Sequence, residues 1–196
     1  SKEDREIDLH TVEAVASECF MPLTIGGGLK NCDDIEKALR SGADKISLNS
    51  IIFDKPEFLR EAVSVFGSQC IVASIDVRKD ENGNYAVFSH SNRKVKYSFE
   101  EYLKLVIGYR VGEILLNSVD SDGTMEGYDL ELINRVSYMT SVPIIAAGGA
   151  SGPQDCVEAI RAGASAVAVA SIFHFTQITP QICKEVMAKA SIPVRI

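Results

Sequence analysis

No stretch of the chain approaches the roughly 18–20 consecutive apolar residues of a membrane-spanning helix. Positive charge is scarce: 20 Lys and Arg stand against 27 Asp and Glu, a net charge of −7. A nucleic-acid partner needs a basic face, so neither nucleic acid nor membrane is expected as a partner. An anionic small molecule remains open, because backbone N–H groups bind phosphate without any Lys or Arg. The five cysteines (Cys19, Cys32, Cys70, Cys156 and Cys183) are odd in number and contain no Cys-x-x-Cys pair, and the three histidines are scattered. That pattern points away from a disulfide framework and a zinc cluster, and no metal or other cofactor is expected. No low-complexity tract occurs, and the charged opening at residues 1–6 does not read as a secretion signal. The cytoplasm is the expected location.

What is present is an ordinary globular composition, with 46% hydrophobic and 24% charged residues. Short apolar runs alternate with helical patterns. Strands are expected at Leu23–Ile25, Lys45–Asn49, Ile71–Asp76, Glu113–Asn117, Ile144–Ala146 and Ala166–Ala170. They are apolar at nearly every position, as strands buried on both faces should be. Amphipathic helices are expected at Leu9–Cys19, Asp33–Ser41, Pro56–Phe66, Phe99–Val111, Leu130–Met139, Pro153–Ala162 and Pro180–Ala190. Asn31 or Asp33 can cap one helix, Asp54 precedes Lys55-Pro56, and Thr179 precedes Pro180. Gly42, Gly67 and Gly163 stand where helices should end. Such alternation specifies a parallel sheet.

An internal repeat narrows the class. An offset of 121 places Pro22–Ile51 over Pro143–Ile172 without a gap, and ten of the 30 positions are identical. They include Gly27/Gly148, Gly28/Gly149, Asp34/Asp155, Gly42/Gly163 and Ser50/Ser171. The period spans about four βα units, half of a (β/α)8 barrel. The expected fold is therefore an α/β (β/α)8 TIM barrel, with residues 1–196 as a single domain. Such barrels typically take about 250 residues. Six strands are counted, so the domain reads as incomplete at the N-terminus, with about six of eight strands. Open strand edges invite pairing, so self-association through those edges, or poor stability, is expected.

Several residues carry chemistry. Gly26-Gly27-Gly28 and Gly148-Gly149 follow equivalent strands; glycine lets a backbone approach a ligand and expose its N–H groups. A tight turn alone would also use glycine. The loop occurs twice, each time followed by a strand ending in Asn49-Ser50 or Ala170-Ser171, and this favours two phosphate sites and a ligand with two phosphates. Asp76 ends its strand, where a barrel carboxylate faces the active-site mouth and could transfer protons; a solvated loop-capping aspartate is the alternative. Asp122-Gly123 lies on the same rim, as a ligand contact or simply a turn. Residues 80–84, followed by Tyr85–Ser89, read as an inserted hairpin. Lys45 and Glu113 begin their strands at the opposite mouth, where an ordinary stabilising ion pair is the simple expectation.

With these motifs in place, the sequence resembles the HisF family, the cyclase subunit of imidazole glycerol phosphate synthase. The resemblance rests on Pro22-Leu-Thr-Ile-Gly-Gly-Gly, Gly42-Ala-Asp-Lys-Ile-Ser-Leu-Asn-Ser, Ala73-Ser-Ile-Asp, Asp122-Gly-Thr-Met-Glu-Gly-Tyr-Asp, Ala146-Ala-Gly-Gly-Ala and Ala170-Ser-Ile-Phe-His-Phe. It implies a barrel of the ribulose-phosphate-binding type and a HisH-like glutamine amidotransferase partner that supplies ammonia. It also implies a bis-phosphorylated substrate, PRFAR, converted to imidazole glycerol phosphate and AICAR in histidine biosynthesis, a lyase reaction. By motif position, Asp76 resembles a catalytic aspartate. Gly27, Gly28, Asn49 and Ser50 resemble one phosphate site; Asp122, Gly123, Gly148, Gly149, Ala170 and Ser171 resemble the other. Lys45 and Glu113 resemble two members of an ammonia gate.

The sequence also departs from that family. The counterpart of a second catalytic aspartate, on the family's first strand, is not found in this sequence; nor are the remaining gate charges or the second strand's carboxylate. Asn117 and Ala147 stand where a Thr and a Ser are common. Asn117-Ser-Val-Asp-Ser-Asp-Gly-Thr and the opening eight residues resemble paralogues of surface-polysaccharide biosynthesis, which implies ammonia channelling to a sugar. A non-catalytic phosphate-binding fragment is the third reading.

Overall fold

The computed structural model describes residues 7–89 and 96–195. The charged opening at residues 1–6 lies outside them. In chain order the elements are α1 (Leu9–Glu18), β1 (Thr24–Gly26), α2 (Cys32–Arg40), β2 (Lys45–Leu48), α3 (Ser50–Asp54) and α4 (Glu57–Phe66). Then come β3 (Ile71–Lys79), β4 (Tyr85–Val87), α5 (Phe99–Gly108), β5 (Glu113–Ser118), α6 (Leu130–Met139) and β6 (Ile144–Ala147). The last are α7 (Pro153–Arg161), β7 (Ala166–Val167), α8 (Ser171–Phe175) and α9 (Pro180–Lys189).

Neighbouring strands follow the order β1-β2-β3-β5-β6-β7, with β4 paired to β3. The β1–β2, β2–β3 and β6–β7 pairs are parallel. Helices connect successive parallel strands, so the chain is an α/β protein of the (β/α)8 barrel class and supplies six of the strands of that fold. Among the described residues, no helix is long and apolar enough to cross a membrane.

The chain divides into two compact units. The first comprises Ser1–Ile75 with Val87–Ile114. Its core contains Ile35, Ile46, Leu59, Ile71, Leu103 and Val106, all buried. Phe53 stacks on Tyr102 with ring centroids 5.5 Å apart. The second comprises Asp76–Ala86 with Leu115–Ile196. One of its clusters gathers Tyr128, Ile133, Ala146 and Ala159; another gathers Cys156, Val157, Ile172 and Cys183 between α7 and α9.

Burial on both strand faces, expected from the apolar runs, holds only for β3, where Ile71–Val77 are all buried. In β2, β5 and β6 buried and half-buried residues alternate. The half-buried positions include Lys45, Ser47, Glu113 and Asn117, polar side chains that a fully apolar face would not accept without partners, beside the apolar Leu115, Ile145 and Ala147. The expected strand Ala166–Ala170 is shorter, although Ala168 still donates its N–H to Ala146 O at 2.8 Å.

Two short helices, α3 and α8, were absent from the expectation. The capping role open to Asp54 is also corrected: it is the last residue of α3, and α4 starts after Pro56 with no side-chain cap. Asn31 and Thr179 do cap, accepting N–H bonds from Asp34 at 2.9 Å and Ile182 at 3.3 Å.

The repeat is longer in the structure than in sequence identity. α1 and α6 are related by the same offset of 121 from first residue to last, as are α2 and α7, and α3 and α8. Asp8 and Asp129 cap α1 and α6 in the same way. The registers Thr24↔Lys45 and Ile145↔Ala166 are equivalent. Gly42 lies against Ala16 and Gly163 against Ser137, so tightly that an added Cβ would sit 2.5 Å from each partner's Cβ.

Candidate functional site

Both glycine loops turn through a backbone region that favours glycine: φ is +97° and +72° at Gly27 and Gly28, and +87° and +102° at Gly148 and Gly149. Each is followed by a helix whose first turn reaches back to the loop. Asp34 accepts the Lys30 N–H at 2.9 Å, and Asp155 accepts the Ser151 and Gly152 N–H groups at 2.6 and 3.1 Å. Each partner strand then bends into a short helix beginning at Ser50 or Ser171, after residues of matching conformation, Asn49 and Ala170. In barrels of this class, a strand-end loop with the first turn of a short extra helix recurs as a phosphate-binding arrangement.

In the second unit these pieces enclose a pocket of about 270 Å³. It brings together all six residues expected at the second phosphate site: Asp122, Gly123, Gly148, Gly149, Ala170 and Ser171. Among the described residues its lining contains no lysine or arginine, so anion binding there would rest on backbone dipoles and hydroxyl groups. Residues 118–127 form one wall. Asp122 N–H donates to Ser118 O at 2.9 Å, and Gly127 N–H to Gly149 O at 2.7 Å. Tyr128 ties this wall to the end of β7, its hydroxyl donating to Ala168 O at 2.9 Å, and burial pushes that hydroxyl's ionisation upward.

Asp76 stands in the same unit. The expectation that it ends its strand is corrected, because β3 continues to Lys79, where β4 pairs with it. The connecting turn is the expected hairpin. Asp80 accepts N–H bonds from Asn84 at 2.8 Å and Asn82 at 2.9 Å, and these hold its carboxyl below the ordinary value. The hairpin is tethered rather than loose: Lys79 N–H donates to Asp120 at 2.7 Å, and the Tyr85 hydroxyl to Asp129 at 2.8 Å. Burial, then the nearby Asp129, raises the Tyr85 ionisation. Asp76 itself is 6% exposed, not a solvated cap, and one carboxylate oxygen accepts a hydrogen bond from Asn117 Nδ2 at 2.9 Å.

Asn117 and Ala147 also line the pocket, as does Met125. From sequence the first two were only departures from a pattern; the signal for Asn117 was a polar residue at the end of an apolar strand, on the rim that carries Asp76.

The first unit holds the other residues. Among the described residues no atom lies within 4 Å of a Cβ added to Gly27. Asn49 donates to Ser74 Oγ at 3.4 Å. At the other end of β2, Lys45 and Glu113 form a half-buried ion pair, Nζ to Oε1 2.5 Å.

The chain matches the histidine biosynthesis protein family over residues 1–179. It is 45% identical over 194 residues to a Campylobacter jejuni protein described as "putative imidazole glycerol phosphate synthase subunit hisF2". That alignment covers 97% of this chain and 76% of the relative. The chain is a HisF-like member of the histidine biosynthesis protein family.

Proposed function

We propose that the chain is the cyclase and lyase subunit of an ammonia-using synthase, acting in the cytoplasm, with residues 1–196 belonging to a single HisF-like barrel domain of which they form the larger part. The observation that carries this reading is a buried carboxylate, Asp76, hydrogen-bonded to a residue that lines a pocket built on a glycine loop. The substrate is PRFAR and the products are imidazole glycerol phosphate and AICAR. One phosphate lies at Gly27, Gly28, Asn49 and Ser50, the other at Asp122, Gly123, Gly148, Gly149, Ala170 and Ser171. Asp76 moves protons during ring closure. Lys45 and Glu113 belong to the entry for ammonia, which a HisH-like glutamine amidotransferase supplies.

A second reading keeps the ammonia and changes the acceptor to a sugar of surface-polysaccharide biosynthesis. Asn117 favours it, since this side chain is bonded to Asp76 and a threonine is common at its place. The full-length protein given ammonium and PRFAR decides between them. Turnover that falls by about a hundredfold or more in Asp76→Asn supports the cyclase. No turnover of PRFAR, with ammonia-dependent amidation of a sugar, supports the second reading and overturns the first.

A further inference from the structure

Asn117 touches two things at once. Its Nδ2 donates to Asp76 Oδ1 at 2.9 Å, and its Oδ1 lies beside Gly148, 2.9 Å from where a Cβ on that glycine would sit. Because Nδ2 is the group bonded to Asp76, the amide's oxygen is the group that faces Gly148. The oxygen must then point the other way, along the wall of the Gly148–Gly149 pocket that Asn117 lines. Among the described residues no donor reaches this oxygen. The pocket therefore sets backbone dipoles suited to an anion beside a fixed, neutral acceptor.

We propose that Asn117 is a specificity-determining residue, whose Oδ1 accepts a hydrogen bond from a hydroxyl or N–H group adjacent to the substrate's phosphate ester. Asp76 is the positioning group for this contact, because its carboxylate holds the amide in one orientation. The ligand class is a phosphate monoester with a neighbouring donor. A phosphorylated chain carrying only carbon or an acceptor there leaves Oδ1 without a partner, which disfavours it. The inference rests on the phosphate reading of the pocket.

Binding of three probes to the full-length protein separates the two ideas: inorganic phosphate, glycerol 3-phosphate with its neighbouring hydroxyl, and propyl phosphate without one. The expected result is that the wild type binds glycerol 3-phosphate about five- to tenfold more tightly than propyl phosphate. In Asn117→Leu this preference vanishes while the affinity for inorganic phosphate is kept. In Asp76→Asn, whose amide accepts or donates, the preference shrinks without the loss of any atom from Asn117. This second variant also carries the test if Asn117→Leu fails to fold. Phosphate binding with no preference between the esters, or a preference that survives both substitutions, overturns this proposal and leaves the phosphate pocket standing. A wild type that binds none of the three overturns both.

Discussion

The two glycine loops share one backbone and differ in what surrounds it. Among the described residues an added Cβ on Gly27 would meet no atom within 4 Å, whereas on its counterpart Gly148 it would lie 2.5 Å from Ser118 O and 2.9 Å from Asn117 Oδ1. The covering wall of the second loop is residues 118–127; at the offset of 121 residues 122–127 correspond to residues 1–6, which lie outside the described residues. The same contrast runs through the helices that precede the loops. Val12 and Ile133 are both buried, yet Val15 is 45% exposed while its counterpart Val136 is fully buried. Phe20 and Met21, beside Val15, are exposed as well. A repeat thus transmits backbone geometry; burial depends on neighbours that each copy acquires separately.

The comparison can be broken at three levels. Gly148→Ala meets both a positive φ and a filled space, so a loss of about 3 kcal/mol or more is expected in urea denaturation. Gly27→Ala meets only the backbone strain, about 1–2 kcal/mol. Equal losses would show that the two loops have equivalent surroundings. The next effect depends on pH. Cys156 replaces Ile35 of the first repeat, and burial, with Cys183 beside it, pushes its thiol from the ordinary value near 9 up to about 12. The folded state favours the protonated thiol, so this contribution is fully present below pH 9 and is lost as pH rises towards 12. Relative to Cys156→Val, the wild type should lose about 2–3 kcal/mol by pH 11. Parallel pH profiles of the two proteins would reject the assignment. The smallest expected contrast is between helices: Val136→Ala costs about 2 kcal/mol. Val15→Ala costs within about 0.5 kcal/mol. A comparable loss at Val15 in thermal unfolding would mean that its face is covered in solution.

Much of the fold is legible because it rests on local signals. Leu130–Met139 is read to the residue, and α2, α7 and α9 to within a residue or two, since caps and glycines punctuate a clear helical period. The helices α3 and α8 escape because five residues such as Ser50-Ile-Ile-Phe-Asp are too short to show a period and look like the strand before them. β3 is longer than its apolar run because Arg78 and Lys79 take extended structure beside β4. The six residues expected at the second phosphate site line one pocket: the repeat singles out Gly148, Gly149, Ala170 and Ser171, and Asp122-Gly123 was legible as a turn on the rim after β5.

By itself the sequence determined the strand–helix alternation, the offset of 121, the positions where only glycine suits the backbone, and the presence of a carboxylate on β3. Each is a property of neighbouring residues or of a pattern repeated along the chain. Only the tertiary structure decided that Asp76 is buried and bonded to Asn117, 41 residues away, and that Gly148 and Gly149 are walled by residues 118–127. Hydrogen-bond partners and solvent exposure belong to groups distant in the chain, and no local propensity encodes them.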